Sequence, residues 1–494
     1  MRVAQAVRVV LYALAIVAAA AALHALAWGV LRTQLVADAA RTTAALARGD
    51  TPYRWRFEAR RDLVAERVFG TRAWGFDERG LVVAGTDETF QVGFILPGPV
   101  DLAIYGRLEL DAADVAASQA ALVVRETLGA PMRFSPVPPG DAAIDLAALP
   151  WTDEFGAAVA TPRRLAMLRL QARTPVGGTF RLHAARLMPV ADTLASAPWA
   201  SDADIDRRVD AGLVPRYTIA QAGRVETAML ARERVLRHAP AALVVVDGDA
   251  ARVDAAATRA ETPRDDATDL RWPAFALYVA ALFALRLRPP RDATLRGALE
   301  AAGALVAPFG FVIGGFVGDN PDLWITAVAI ATFAFALSLK PVAGVPPWRW
   351  FGTPRAWLVP VAMVVLALVV AALLRDADTG LRWPGRITFV RYLAWAALQQ
   401  YLICVVLADR LRAMGLPPRW IALVAACVFA LLHTPNEALM LATLAGGLVW
   451  CTSWLAHRAL VPIALSHAAS ATILIAALPP SILRSAEVSA RFFL

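Results

Sequence analysis

The 494-residue chain is short of charge, of lysine and of cysteine. Charged residues make up 18% of it and hydrophobic ones 58%, against about 25% and 45–50% in a soluble domain. An apolar excess of that size does not fit inside one core, which excludes a wholly soluble enzyme and, equally, a disordered chain. Lys340 is the single lysine, so arginine carries the net charge of +8. No arginine-rich face or aromatic-interleaved basic stretch accompanies that charge, and nucleic acid is not expected as a partner. The cysteines, Cys404, Cys427 and Cys451, all lie in apolar segments. The long polar region therefore has no disulfide framework, and the spacing fits no metal ribbon. They read as small apolar packers.

What the chain does have is long apolar runs. Residues 7–31 form one behind Arg2 and Arg8, longer than the apolar stretch of a secretory signal and enough to cross about 30 Å of hydrocarbon. Residues 1–32 read as an uncleaved anchor with its N-terminus in the cytoplasm. Residues 33–270 hold no spanning segment. Within 33–197, Leu102, Ile104, Gly106, Leu108 and Leu110 alternate with polar or small neighbours, as do Leu168, Leu170 and Ala172. Phe180, Leu182 and Ala184 repeat the pattern after Pro175-Val176-Gly177-Gly178. Period-2 patterning with such a turn predicts a hairpin within a sandwich of antiparallel sheets. The pattern resembles jelly-roll, galactose-binding-like modules, with no motif that carries a ligand across. Residues 198–270 read as an α/β segment, with a helix over 217–238, a short strand over 241–246 and a linker over 249–270.

Eight further spans are expected at about 272–287, 295–317, 323–339 and 356–374, then 388–408, 418–435, 438–456 and 460–480, with a tail over 481–494. Arg286 to Arg296, Lys340 to Arg355, Arg410 to Arg419 and Arg458 fall in alternate loops, whereas the loops over 318–322 and 434–437 have no basic residue. That asymmetry obeys the positive-inside rule. It predicts a multi-pass α-helical membrane bundle of the bacterial inner membrane, with an inserted periplasmic all-β sandwich-like domain. Residues 271–387 supply four of its helices and 388–480 a four-helix core.

Polar residues inside a bilayer are costly and point to function. Gln399 and Gln400 lie mid-span, His433 ends Phe429-Ala430-Leu431-Leu432-His433, and His467 lies 34 positions beyond it. The step from Gln399 to His433 is also 34, one helix and a return, so the amide pair and both imidazoles can face one cavity. Glu300 and Arg391 near span ends read as snorkelling side chains, and His457 as interfacial.

On these residues, the stretch from about 388 to 478 resembles the CAAX-protease and bacteriocin-processing family, intramembrane endopeptidases related to type II prenyl-protein proteases. That family carries Glu-Glu-x-x-x-Arg, Phe-x-x-x-His and His-x-x-x-Asn on successive helices. Phe429 and His433 keep the second motif; Gln399, Gln400 and Cys404 stand in the first; His467 and Ala471 stand in the last. The ladder Ala438, Ala442, Gly446 and Gly447 resembles the family's glycine-containing third helix. The resemblance implies a hydrolase in which glutamate activates water while the histidines and asparagine hold it or the oxyanion. An amide cannot accept that proton near pH 7, and losing such a base removes about 10²–10⁴ in rate. Gln399, Gln400, His433 and His467 are thus the expected site of an impaired peptidase, unless a histidine or Glu437 serves as base. No metal or other cofactor is expected, and the expected partners are membrane lipids and a membrane-protein or peptide client. The alternative is a membrane-anchored binding protein whose β-module recognises a glycan, lipid or envelope protein. A transporter is disfavoured, since the chain shows no inverted repeat.

Overall fold

The computed structural model describes residues 2–113, 119–138, 143–191, 194–205, 213–260, 271–313, 323–375, 383 and 385–493. The chain divides into two compact units. One is Met1–Thr33, Ala222–Leu230 and Arg264–Leu494; the other is Gln34–Gln221 and Ala231–Pro263. Helix α1 (Arg2–Ala47) runs well past residue 32. No Gly or Pro interrupts the chain from residue 30 to Ala47, and Gly49, at φ +65°, then ends the helix.

The second unit is β-rich. A six-stranded antiparallel sheet orders Trp74–Asp77, Gly80–Ala84, Thr179–Met188, Arg107–Ala113 and Ala143–Asp145, with Arg54–Arg56 also pairing with Thr179–Met188. A four-stranded antiparallel sheet orders Thr89–Phe94, Met167–Arg173, Gln119–Arg125 and Arg133–Pro136. Leu168, Leu170 and Ala172 from the second and Leu81, Phe180 and Leu182 from the first are buried in one common core.

Two details differ from the sequence reading. Met167–Arg173 and Thr179–Met188 are not a hairpin, because each pairs within a different sheet. The turn at Pro175–Gly178 is present, with Gly178 N donating to Pro175 O at 2.9 Å, but it carries the chain from one sheet to the other. Residues 102–105 are a turn rather than a strand. Asp101 draws them in, its carbonyl accepting from Ile104 N and Tyr105 N and its carboxylate from Ala103 N, an Asx turn. Leu102 and Ile104 are buried all the same, which is why the stretch alternates.

A small parallel sheet follows, of Ala200–Ser201, Arg216–Ile219 and Leu243–Val246. Its last two strands are joined through α2 (Val225–His238), as a parallel pair requires a crossover. The helix starts later than residue 217 because Tyr217–Ile219 pair with Val244–Val246. α3 (Ala250–Ala260) occupies the first part of the expected linker, and residues 261–270 lie outside the described residues.

The other unit holds α4 (Arg271–Leu287), α5 (Ala293–Ile313), α6 (Leu323–Ser338), α7 (Arg355–Leu374) and α8 (Arg386–Gln400). α8 continues through a π-helical stretch, Tyr401–Ala408, into α9 (Asp409–Ala413). Then come α10 (Pro418–Leu431), α11 (Glu437–His457) and α12 (Leu460–Ala477). Among the described residues, six helices are long and apolar enough to cross a membrane: Gln5–Ala47, Ala293–Val312, Arg355–Leu374, Arg386–Ala413, Glu437–His457 and Leu460–Ala477. Trp272–Leu287, Leu323–Ser338 and Pro418–Leu431 are shorter apolar helices. The chain thus combines a helical membrane part with a separate β-rich region. The loop expected at 318–322, without a basic residue, lies outside the described residues.

Close packing of α10 on α11 depends on Gly447, where an added Cβ would sit 3.0 Å from Ala426 Cα, as small residues permit in membrane bundles. Glu300 does not snorkel. It is buried between Arg296 at 2.8 Å and the equally buried Arg410 at 3.1 Å. Asp409 is likewise buried. It takes Arg458 Nη2 at 2.8 Å and Trp454 Nε1 at 3.3 Å, while the Arg458 guanidinium lies 4.4 Å over the Trp454 ring. Partners inside the bundle replace water for these charges.

Candidate functional site

Gln400 is the last residue of α8, with the π-helical stretch beginning at the next position. Such a stretch re-phases a helix and often marks a functional site. Gln400 is 1% exposed, and its Nε2 donates to His467 Nδ1 at 3.3 Å. Its Oε1 accepts from Cys404 Sγ at 3.5 Å. A neutral imidazole that accepts at Nδ1 carries its proton on Nε2. His467 lies on α12, buried, with its ring 4.9 Å from that of Trp450 and edge-on to Phe429 at 5.3 Å.

His433 follows α10. Its Nδ1 donates to Phe429 O at 2.8 Å, so in the neutral ring Nε2 keeps the lone pair. Its ring stands edge-on to Phe429 at 5.0 Å. Phe429, fully buried, therefore touches both imidazoles. α10 ends at Leu431, before residue 435, and His433, Thr434 and Asn436 in the turn beyond it are all buried. This is how a residue at a helix end reaches the level of His467.

Gln399, His433 and His467 line one cavity of about 620 Å³. The rest of its wall is mainly apolar, with Met363, Leu402, Leu439, Trp450 and Leu474 among the lining residues. The two glutamines part company. Gln399 lies on the cavity wall, whereas Gln400 does not and holds His467 instead. Ala471 lines the cavity beside Ser470, whose buried hydroxyl has no hydrogen-bond partner. Among the described residues, the lining includes no Asp or Glu, and no group of three His, Cys, Asp or Glu side chains is placed to hold a metal ion.

Glu437 is not on that wall. One carboxylate oxygen takes His24 Nδ1 at 2.8 Å and the other Val225 N at 3.0 Å. Glu226 makes the matching contact, accepting from Ala438 N at 2.8 Å, so the first turns of α2 and α11 exchange carboxylates. Acids near a helix N-terminus are stabilised there, which is what holds Glu437 away from the histidines.

Sequence reasoning missed the residues that orient the site. Ser466 Oγ accepts from Trp450 Nε1 at 3.1 Å and donates to Pro360 O at 2.9 Å, which fixes the indole against His467. Ser466, adjacent to His467, was the available signal. Nothing in the sequence flags Pro360.

Residues 383–473, about a fifth of the chain, match the family model described as type II CAAX prenyl endopeptidase Rce1-like. No curated protein and no solved structure matches the chain.

Proposed function

We propose that this CAAX-protease-like membrane protein is impaired as a peptidase and holds a membrane-protein or peptide client in the cavity without cutting it. The observation that carries the reading is the Gln400–His467 hydrogen bond at 3.3 Å, beside a cavity wall without a carboxylate among the described residues. Water attack on an amide needs a group to take the water's proton. An amide side chain cannot serve, and here it occupies one imidazole nitrogen as well. The apolar lining that would receive a transmembrane segment does not depend on the base. The same reading puts the protein in a bacterial inner membrane with its N-terminus cytoplasmic and residues 33–270 periplasmic, an orientation with which the arginine asymmetry of the loops agrees.

A fluorogenic transmembrane peptide offered to the whole protein in nanodiscs tests this. The expected result is no cleavage above that of the His433→Ala, His467→Ala double variant, with the peptide photo-cross-linking to the unaltered protein. Gln399→Glu and Gln400→Glu, singly and together, restore a base, and about 10²-fold or more over background is expected from the productive one. Robust turnover by the unaltered protein that is lost in His433→Ala would overturn the reading.

One observation favours the second reading, a membrane-anchored binder of a glycan, lipid or envelope protein. The β-rich unit has an open pocket of about 740 Å³ lined by Arg67, Phe69, Arg72 and Trp74. If the unaltered protein captures such a ligand but no transmembrane peptide, the bundle serves as the anchor.

A further inference from the structure

The segment Pro479–Phe493 forms part of the cavity wall. Ile482, Leu483, Ala486 and Val488 all line the cavity, and residues 483–488 are neither helix nor strand. Besides the buried side chains of Leu483 and Phe492, the segment is held by recognition of its backbone. Asn436 Nδ2 donates to Ser485 O at 2.8 Å and to Glu487 O at 3.1 Å. Thr434 O accepts from Ser489 N at 2.9 Å. Ser489 Oγ donates to Phe311 O at 3.2 Å, and Arg224 Nη2 to Ser481 O at 2.7 Å. Asn436 and Thr434 are both fully buried, in the turn that follows His433.

Position makes the segment consequential. A transmembrane client is about 30 Å long as a helix, and Ile482, Leu483, Ala486 and Val488 stand on one side of the cavity it would enter. Apart from Arg224, the Leu432–His433 turn and Leu478, which caps α12, the rest of the wall is helix. The part that can yield without breaking a membrane-spanning helix is this segment, held by those hydrogen bonds and by the buried Leu483 and Phe492 side chains.

We propose that Pro479–Phe493 is an intramolecular ligand of the cavity mouth, and that an extended apolar segment of a client takes its place. Asn436 is the specificity-determining residue, reading alternate backbone carbonyls of whichever chain lies there. Because its contacts are to main chain, recognition favours an irregular or extended segment with apolar side chains over any one sequence. The proposal rests on the cavity being a client site.

The test uses the whole protein with its cysteines replaced by alanine and Ala471→Cys as a reporter on the cavity wall, labelled by a maleimide. Asn436→Ser keeps an N-cap for Leu439 N, which Asn436 Oδ1 now accepts at 3.1 Å, and removes the two contacts to the segment. Labelling is expected to run about tenfold faster, the change from losing about one net hydrogen bond. A synthetic peptide of residues 479–493 supplied in excess should slow it again; a scrambled peptide should not. Arg224→Met, which frees the segment at Ser481, is the second variant and decides the matter if Asn436→Ser fails to fold. Unchanged labelling in a folded variant, or equal protection by the scrambled peptide, overturns the proposal. Client cross-linking is scored separately. Accelerated labelling without client capture in any variant leaves the segment a ligand of the mouth and removes the client reading.

Discussion

Two buried polar regions lie along one continuous helical run and are built on opposite terms. At Gln400 the run meets His467, His433 and a cavity wall with no acid among the described residues. Nine positions later, Asp409 and Arg410 are charged, buried and paired with Arg458 and Glu300. Burying an unpaired charge costs several kcal/mol, and a matched one is tolerated. The fold therefore carries buried carboxylates wherever an arginine meets them. The absence of an acid on the cavity wall is local to that wall and is not a general avoidance of buried charge. This is why the glutamine pair bears on chemistry and the ion pairs bear on architecture.

Breaking the charged region should have the largest effect. Asp409→Asn leaves Arg458 buried without a counter-charge and is expected to lower stability by about 3–5 kcal/mol. Gln400→Leu removes hydrogen bonds between neutral groups and should lower it by about 1 kcal/mol or less. Unfolding in detergent micelles, followed by tryptophan fluorescence, measures both. Equal losses would erase the distinction. Between them comes the packing that closes the two regions together: Gly447→Leu forces α10 off α11 at Ala426 and is expected to lose about 1–3 kcal/mol.

Patterning revealed the sheets and the apolar helices because burial leaves a period in the sequence. It could not tell a hairpin from a crossing between sheets. Leu168–Ala172 and Phe180–Ala184 alternate identically whether they pair with each other or with different partners. Nor could it tell a snorkelling Glu300 from a paired one, since the difference is Arg410, 110 positions away. The 34-residue steps put Gln399, His433 and His467 on one cavity, but which glutamine faces it depends on how α8 packs against α12, which leaves no period in two adjacent residues. Asn436 reads locally as an N-cap, a role it fills; its contacts to Ser485 and Glu487 are invisible without the fold. α1 runs beyond residue 32 because no Gly or Pro stops the helix where its apolar run ends.

The smallest effect sharpens the comparison from a third direction, a buried carboxyl without a paired cation. Glu226 is fully buried and its Oε2 has no partner. Burial pushes its carboxyl up from the usual range and the nearby Glu437 adds to this, while the hydrogen bonds from Ala438 and its own backbone, and Arg224, oppose it. A raised folded-state pKa means the folded state holds the proton more tightly than the unfolded one. The stability it contributes is thus complete below the ordinary value of about 4.5 and is lost as pH rises through the raised value. Glu226→Gln cannot titrate, yet it keeps an oxygen for Ala438 N. Its melting temperature, compared with that of the unaltered protein in steps upward from pH 4.5, should lack that decline. Parallel curves for the two proteins would show that Glu226 ionises as freely as an exposed acid, and that a buried carboxyl in this fold does not need an arginine after all.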